Sequence, residues 1–299
     1  MKAQVQDKLL RLTKLAFSMF YFIWSEAGNA VRSLLGKKKP GTCVAINYHA
    51  VSRQDRARFA QQMNTLLRHA KPIAADHRQP LQPGQHCVVV TFDDGLLSTL
   101  DNAIPELVQR KIPATLFVVP GLLGTVPQWA EYGRDSIGEE VIASADRLRE
   151  LPRDLFTIGS HTMTHRWLPS LSEDEAGIEI SASRVELERL LNREIKLFSF
   201  PYGGANERLR NLCRESGYER VFTILPDLAF TDPQEFVTGR VGVNPSDWAL
   251  EFRLKILGAY RWLPIVFSWK RKLFGNQFQE RPQTSNVKMR TRSAPNGIY

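Results

Sequence analysis

Polar residues capable of metal binding and proton transfer follow four apolar segments of the sequence. The four groups are Asn47-Tyr48-His49, Asp93-Asp94-Gly95, Ser160-His161-Thr162-Met163-Thr164-His165 and Pro201-Tyr202-Gly203-Gly204. Each group alone is commonplace, because such residues usually form turns or solvated surface. Together, each following an apolar segment, they predict one site where several chain segments meet.

Two of these groups contain residues suited to hold a divalent metal. Adjacent carboxylates in a half-buried site repel one another, and a cation removes that cost, so one aspartate could bind a metal while the other stays free. His161 and His165 are four residues apart, and on a helical turn this spacing places both imidazoles on one face, as two ligands of one ion require. Two imidazoles and one carboxylate leave coordination positions open, which is typical of a catalytic site and favours Zn²⁺ over Co²⁺, Ni²⁺ or Mn²⁺.

Alternating strand and helix patterns predict how these groups are positioned. The strand patterns cover Cys43–His49, Val88–Phe92, Thr115–Val119, Phe156–Gly159, Ile195–Phe200, Val221–Ile224 and Val237–Val243. Helical patterns separate most of them, including Leu97–Arg110 and Glu139–Glu150. Ser172 with Glu175 forms a capping box that starts a further helix running to about Asn192. Apolar strands alternating with helices predict a parallel sheet covered on both faces, here a barrel-like α/β domain with its chemistry at the strand ends.

Three of the groups also resemble the motifs of a known family. The segments Thr91-Phe92-Asp93-Asp94-Gly95, Ser160–His165 and Phe200-Pro201-Tyr202-Gly203 resemble, in order and spacing, the first three motifs of the polysaccharide deacetylase family, or carbohydrate esterase family 4. The similarity covers about residues 42–245. It implies a deformed (β/α) barrel and metal-dependent removal of an acetyl group from an N-acetylated sugar. It also implies that Asp93 is the general base, that Asp94, His161 and His165 bind the metal, and that the Tyr202 backbone N–H helps to hold the oxyanion.

The sequence departs from the family pattern at two places. Many members carry an arginine just before the Pro-Tyr motif, where this chain has Phe198-Ser199-Phe200; we predict that Arg240 steadies the base instead. Many members also use a histidine from a late strand as the catalytic acid, but no histidine follows His165 here. His49 stands at the end of a strand leading to the same rim, so we predict that it is the acid or contacts the substrate. Trp129, Tyr132 and Trp167 are candidates for stacking on a sugar ring, with packing as the alternative.

Composition and charge exclude several classes of protein. The 299 residues are 43% hydrophobic and 24% charged, values typical of a globular protein. The three cysteines at 43, 87 and 213 are too few and too widely spaced for a disulfide framework or a zinc ribbon. The net charge is +9, yet residues 1–40 carry +6 and residues 251–299 carry +8, which leaves −5 for residues 41–250. Nucleic acid is therefore not an expected partner of the central domain.

Both ends of the chain combine positive charge with apolar helical patterns. Only 11 uncharged residues separate Lys14 from Glu26, too few to span a bilayer. Three interpretations of the N-terminal pattern remain open: a helix at a membrane interface, a signal peptide or signal anchor, and a helix packed on the domain. The C-terminal pattern similarly fits an interfacial segment or a helix that closes the core.

We expect peripheral attachment to the cell membrane through Leu9–Trp24 and Leu254–Lys272, with a preference for anionic lipid. The predicted organisation is an amphipathic basic N-terminal helix over residues 1–40 and a catalytic domain over 41–250. An amphipathic aromatic and basic segment follows over 251–275, and a disordered basic tail over 276–299.

The sequence as a whole predicts a membrane-associated, metal-dependent deacetylase that acts on an N-acetylated polysaccharide or lipid-linked glycan. An O-acetyl esterase or a non-sugar amidase would use the same metal site, so both remain alternatives. A non-catalytic glycan-binding module on the same fold is a third, although Asp93, Asp94, His161 and His165 are all present.

Overall fold

The structure is a computed structural model that describes residues 2–127 and 140–266, together with Ser268. Within these residues the strands are β1 (Thr42–Tyr48), β2 (Lys71–Pro72), β3 (His86–Phe92), β4 (Ala114–Val118), β5 (Phe156–Ser160), β6 (Leu197–Ser199), β7 (Arg220–Thr223) and β8 (Val237–Gly242). The helices are α1 (Lys2–Leu34), α2 (Arg56–His69), α3 (Leu97–Asn102), α4 (Ile104–Arg110), α5 (Ala145–Arg149), α6 (Glu173–Leu191), α7 (Glu207–Glu215) and α8 (Ala249–Ile256).

The strands form a parallel barrel. The order β1-β8-β7-β6-β5-β4-β3 closes because β3 also pairs with β1 along its whole length. The short β2 pairs with the first half of β3, and β4 pairs with the second half. Closure therefore involves seven strands rather than the eight of a regular (β/α)₈ barrel, which confirms the predicted deformed α/β barrel.

Alternate residues of each strand face the barrel interior and the surrounding helices. Cys43, Ala45, Cys87 and Val89 belong to an interior cluster that also contains rings such as Phe117. Their neighbours along the strands belong to the larger cluster under the helices. Because the side-chain period of a strand is two, the interior row of β1 continues to Asn47 and that of β3 to Thr91. Polar side chains therefore follow the apolar interior at the carboxyl ends of the strands.

Three local predictions are refined by the structure. The capping box at Ser172 is present, since its hydroxyl accepts from the Glu175 amide and the Glu175 carboxylate accepts from the Ser172 amide. The single helix predicted over Leu97–Arg110 is instead two helices that meet at Ala103, just before Pro105, because proline lacks the amide that would continue the first helix. Of the helix predicted over Glu139–Glu150, the structure describes residues 140–150, and only Ala145–Arg149 of these form a helix, α5.

The N-terminal helix α1 packs with one face on α8 and the chain that follows. Arg11 Nε donates to Glu251 at 2.7 Å, and Trp262 Nε1 donates to the Ser18 hydroxyl at 2.9 Å. Leu15 and Met19 pack against the core cluster. Among the described residues, no helix has both the length and the apolar character needed to cross a membrane.

The structure corrects part of the predicted C-terminal membrane segment. Leu254 and Ile256 are buried in the core, because α8 covers the barrel beside β1 and α2. Among the described residues that follow α8, Ile265 and Val266 are the large apolar side chains that are exposed. Residues 269–275 and the predicted tail over 276–299 lie outside the described residues.

Candidate active site

The structure brings the predicted site residues to one end of the barrel. Asp93 and Asp94 follow β3, whereas His161 and His165 follow β5. Tyr202 lies in a short 3-10 turn after β6, Arg240 lies within β8, and His49 follows β1. The carboxyl ends of parallel strands meet at one rim, where barrel enzymes place their catalytic groups.

Asp94, His161 and His165 form a buried cluster of potential metal ligands. One ligand atom from each lies within 4.8 Å of the others. Asp94 Oδ1 is 3.3 Å from His165 Nε2 and 3.6 Å from His161 Nε2. All three residues are at most 6% exposed. Two imidazoles and one carboxylate are a donor set suited to a catalytic Zn²⁺ or a similar ion, so the residues present fit such a metal.

A hydrogen bond sets the orientation of the His161 ring. Its Nδ1 lies 2.8 Å from the backbone carbonyl oxygen of Ser199, and a carbonyl can only accept, so Nδ1 carries the proton. Burial lowers the pKa of His161 to about 4, so the ring is neutral at neutral pH. Nε2 then has a lone pair available on the side facing Asp94, as a metal ligand requires.

The segment that carries both histidines is a loop rather than the helical turn assumed from their spacing. Thr162 and His165 have left-handed backbone conformations, with φ of 66° and 61°. The loop is held by Glu179 of α6, whose carboxylate accepts from the Thr164 amide at 2.8 Å and from the Thr164 hydroxyl at 2.5 Å. Hydrogen bonds to a distant helix, and not helical geometry, therefore place the two imidazoles together.

Asp94 also has a left-handed backbone, with φ of 70°, which ends the alternation of β3. Asp94 can therefore contact the two histidines while the adjacent Asp93 contacts Arg240. Burial would raise the pKa of Asp94, but its hydrogen bond with His165 and the charge of that ring hold the pKa well below its usual range. Strained backbones of this kind commonly cluster at functional sites.

Asp93 forms a buried ion pair with Arg240. The guanidinium donates from Nη1 to Oδ1 and from Nη2 to Oδ2, both at 2.8 Å, and Asn47 Nδ2 donates to Oδ2 at 3.0 Å. Burial would raise the pKa of Asp93, but the charge and hydrogen bonds of Arg240 and the charges of neighbouring histidines together outweigh burial, so the pKa is lowered. Asp93 is therefore an ionised carboxylate at neutral pH.

Three residues that the sequence analysis did not assign to the site hold Arg240 in place. The same guanidinium donates to Ser199 Oγ at 2.7 Å, to Asn47 Oδ1 at 2.9 Å and to Thr91 Oγ1 at 3.0 Å. All lie on the interior rows of their strands, and Ala45 of β1 is in register with Arg240. The alternation of each strand marks them as the polar residues at the ends of apolar interior rows, but only the register between strands shows that they meet Arg240.

The Pro-Tyr-Gly segment forms a tight turn beside the metal ligands. The Tyr202 ring lies 4.7 Å from the His165 ring and 6.2 Å from that of Trp167. Tyr202 and Gly203 have φ of 55° and 69°. A Cβ at Gly203 would lie 2.2 Å from Ile224, so the turn requires glycine there. Trp167 thus lies at the site, whereas Trp129 and Tyr132 fall outside the described residues.

His49 lies at the same rim with an exposed side chain. Its positive form is one of the charges that lower the pKa of both Asp93 and Asp94. It therefore differs from the buried histidines of the metal cluster in being open to solvent and to a bound substrate.

The fold and this cluster define a barrel hydrolase with a site suited to a metal. Residues 81–221 match the family model described as polysaccharide deacetylase, which confirms the predicted resemblance to that family. This match, with the relatives and solved structures, confirms the predicted enzyme class, a hydrolase acting on carbon–nitrogen bonds.

Relatives and solved structures agree with this assignment. The Bacillus subtilis protein YxkH is 25% identical over 70% of this chain and 74% of its own length. The structure of IcaB from Ammonifex degensii has a TM-score of 0.61 and 25% identity, and covers 74% of this chain and 98% of that one. The peptidoglycan-N-acetylmuramic acid deacetylase PdaC of Bacillus subtilis is 26% identical over 140 residues. The aligned segment covers 46% of this chain and 26% of PdaC.

Proposed function

We propose that the protein is a metal-dependent N-deacetylase that hydrolyses the acetamide of an N-acetylated sugar in a polysaccharide or lipid-linked glycan. The observation that carries the proposal is the ionised Asp93, paired with Arg240, immediately beside the Asp94–His161–His165 cluster. A proton acceptor and a metal site are the two parts that hydrolysis of an amide by water requires.

Asp94, His161 and His165 are the residues that would hold the metal. When bound, Zn²⁺ or a similar divalent ion supplies Lewis acidity, which polarises an amide carbonyl and lowers the pKa of water from 15.7 toward about 7. The chain contributes neutral imidazole at His161 and an ionised carboxylate at Asp94. Both are the protonation states in which these side chains bind metals.

Asp93 is the group that accepts the proton of the attacking water in this proposal. Its pairing with Arg240 keeps it ionised despite burial. The same pairing makes it a weak base, which suits a water whose pKa has already been lowered. Asn47 and Arg240 together fix the orientation of both carboxylate oxygens, so little reorganisation is needed when the proton moves.

Two further groups complete the proposed reaction. The Tyr202 amide lies in the turn after β6 and is the proposed donor to the developing oxyanion. His49 is exposed at the rim and is the proposed acid that protonates the leaving amine.

The sugar substrate is supported by the match to the deacetylase family model and by one relative's name. PdaC is named as acting on N-acetylmuramic acid of peptidoglycan. The Trp167 and Tyr202 rings beside the cluster are apolar surfaces of the kind on which a sugar ring can stack.

The test is acetate release from N-acetylated oligosaccharides, lipid-linked N-acetyl sugars and O-acetylated sugars, each with and without chelator. We expect release from an N-acetylated substrate that chelator abolishes and added Zn²⁺ restores. Asp93→Asn should keep its metal and lose most turnover, whereas the control Asp101→Asn, an exposed aspartate on α3, should keep both. Activity that survives complete metal removal would contradict the proposal, and release from O-acetylated substrates alone would assign an esterase.

A further inference from the structure

The outward face of α1 is apolar and aromatic over most of the helix. Leu9 is 63% exposed, Phe20 is 64% exposed and Trp24 is 72% exposed. The other large apolar residues exposed on this helix are Leu10, Leu12, Phe17, Ile23, Val31 and Leu34. From Leu9 to Leu34 this outward face extends for about 38 Å at 1.5 Å per residue.

The inward face of the same helix combines apolar packing on the core with buried polar contacts. Arg11 pairs with Glu251 at 2.6 Å and lies 4.3 Å from the Trp248 ring centre. Ser18 is fully buried against Trp262. A surface helix of a water-soluble domain normally turns its apolar stripe inward and its polar stripe to solvent. In α1 the outward face is apolar as well, and the polar contacts with α8 and Trp262 fix which face points outward.

The apolar face continues beyond α1. The Phe17 ring lies 4.9 Å from the Trp262 ring, tilted by 45°, and Ile265, three residues after Trp262, is 55% exposed. The exposed apolar surface therefore spans two chain segments that are distant in sequence. A contiguous patch of this kind marks an interaction surface rather than scattered exposed residues.

Basic residues flank the patch without interrupting it. Lys8 and Lys14 are exposed near its beginning, and Lys37 and Lys38 follow its end. Residues 1–40 have a net charge of +6. Two copies of this chain meeting through the patch would bring these charges together, whereas an anionic lipid surface would neutralise them. The charge thus favours lipid over a second copy of the chain.

We propose that this face of α1 binds the surface of an anionic lipid bilayer, with the helix lying in the interface. The aromatic and aliphatic side chains enter the boundary between headgroups and acyl chains, and the flanking lysines contact anionic headgroups. The barrel remains outside the bilayer, held through the inward face of α1. This proposal does not depend on the reaction proposed for the barrel.

The full-length protein provides the test, in flotation with vesicles of phosphatidylcholine alone or mixed with phosphatidylglycerol. We expect tighter binding to the anionic vesicles, weakened by salt. Phe20→Ser with Trp24→Ser should weaken binding at least about tenfold, because both rings leave water on binding. The matched control is Ile178→Ser with Val185→Ser on α6, two residues each 64% exposed, and it should bind as the unchanged protein does. Lys8→Gln with Lys14→Gln should reduce the preference for anionic vesicles.

Two further measurements distinguish a loss of vesicle binding from a loss of fold. Thermal unfolding of each variant shows whether the fold is intact, and Trp24→Phe, which keeps an aromatic ring, should remove a vesicle-induced blue shift of tryptophan emission. Unchanged binding of the Phe20/Trp24 variant would overturn the proposal. The proposal would also be overturned if the protein formed a dimer that did not bind vesicles and that the Phe20/Trp24 variant dissociated. The face would then be a self-association surface.

Discussion

Replacing Arg240 by glutamine tests how the barrel maintains an ionised carboxylate in its interior. Arg240 is 1% exposed and Asp93 is 3% exposed, so neither charge has water as an alternative partner. Arg240→Gln removes two charge-assisted hydrogen bonds to Asp93, each 2.8 Å long, and leaves that carboxylate with Asn47 as its remaining neutral donor.

The expected loss in free energy of unfolding follows from this burial. Removing one partner of a buried ion pair typically costs about 3–5 kcal/mol, because the other charge stays buried and uncompensated. Asp93→Asn should cost a similar amount, since it leaves Arg240 buried without its counterion. The double variant removes both charges, so its cost should fall below the sum of the two single costs by at least about 2 kcal/mol.

The assay is urea-induced unfolding of the native protein, Arg240→Gln, Asp93→Asn and the double variant. Chelator is present, so that metal binding does not contribute to the free energy of unfolding. The pKa of Asp93 is lowered in the folded protein, so the stabilisation is present above the unfolded value of about pH 4 and is lost as pH falls through the folded value. The difference between the native protein and Arg240→Gln should therefore shrink at acid pH. Single costs that simply add, or a difference independent of pH, would refute the ion-pair argument.

Four further variants test the remaining site residues. His161→Ala and Asp94→Ala should each abolish metal binding together with activity; metal content that survives both changes, measured by elemental analysis, would show that the ligands are assigned wrongly. His49→Ala should lower kcat and leave metal content intact, whereas an unchanged kcat would assign protonation of the amine to another group. Glu179→Ala should weaken metal affinity by about 10–100-fold without removing a ligand, because it releases the loop that carries His161. An unchanged affinity in a metal titration would show that the contact with Glu179 does not position the metal ligands.

Local patterns were sufficient to predict the barrel and the convergence of its strand ends. Continuous apolar strands, the Ser172 capping box and the polar residues after each strand are all properties of short segments. The geometry of the histidine loop is different, because a spacing of four residues fits a helical turn equally well. Its left-handed residues are stabilised by Glu179, which is 14 residues beyond His165 in the sequence, and no local pattern contains that contact.

The network around Arg240 also depends on pairing between distant strands. Asn47 and Thr91 become neighbours because β1 and β3 pair in register, and Arg240 joins them because β8 pairs with β1 when the barrel closes. The sequence indicated Arg240 only as a substitute for an absent arginine. The strand alternation would have added its polar partners only once the register was known.

The barrel explains how an arginine on another strand can reach the carboxylate. Ser199 occupies the strand end where the sequence lacks an arginine, and its hydroxyl accepts from Arg240 at 2.7 Å. The small side chain leaves room for a guanidinium that enters from β8 and crosses the barrel interior to Asp93. Inside a closed barrel, side chains from several strands reach the same point near the axis. Asp93 requires a cation near that point, and the residue that carries the cation can belong to any of those strands. Loss of the arginine from one strand can therefore be compensated by another without moving Asp93.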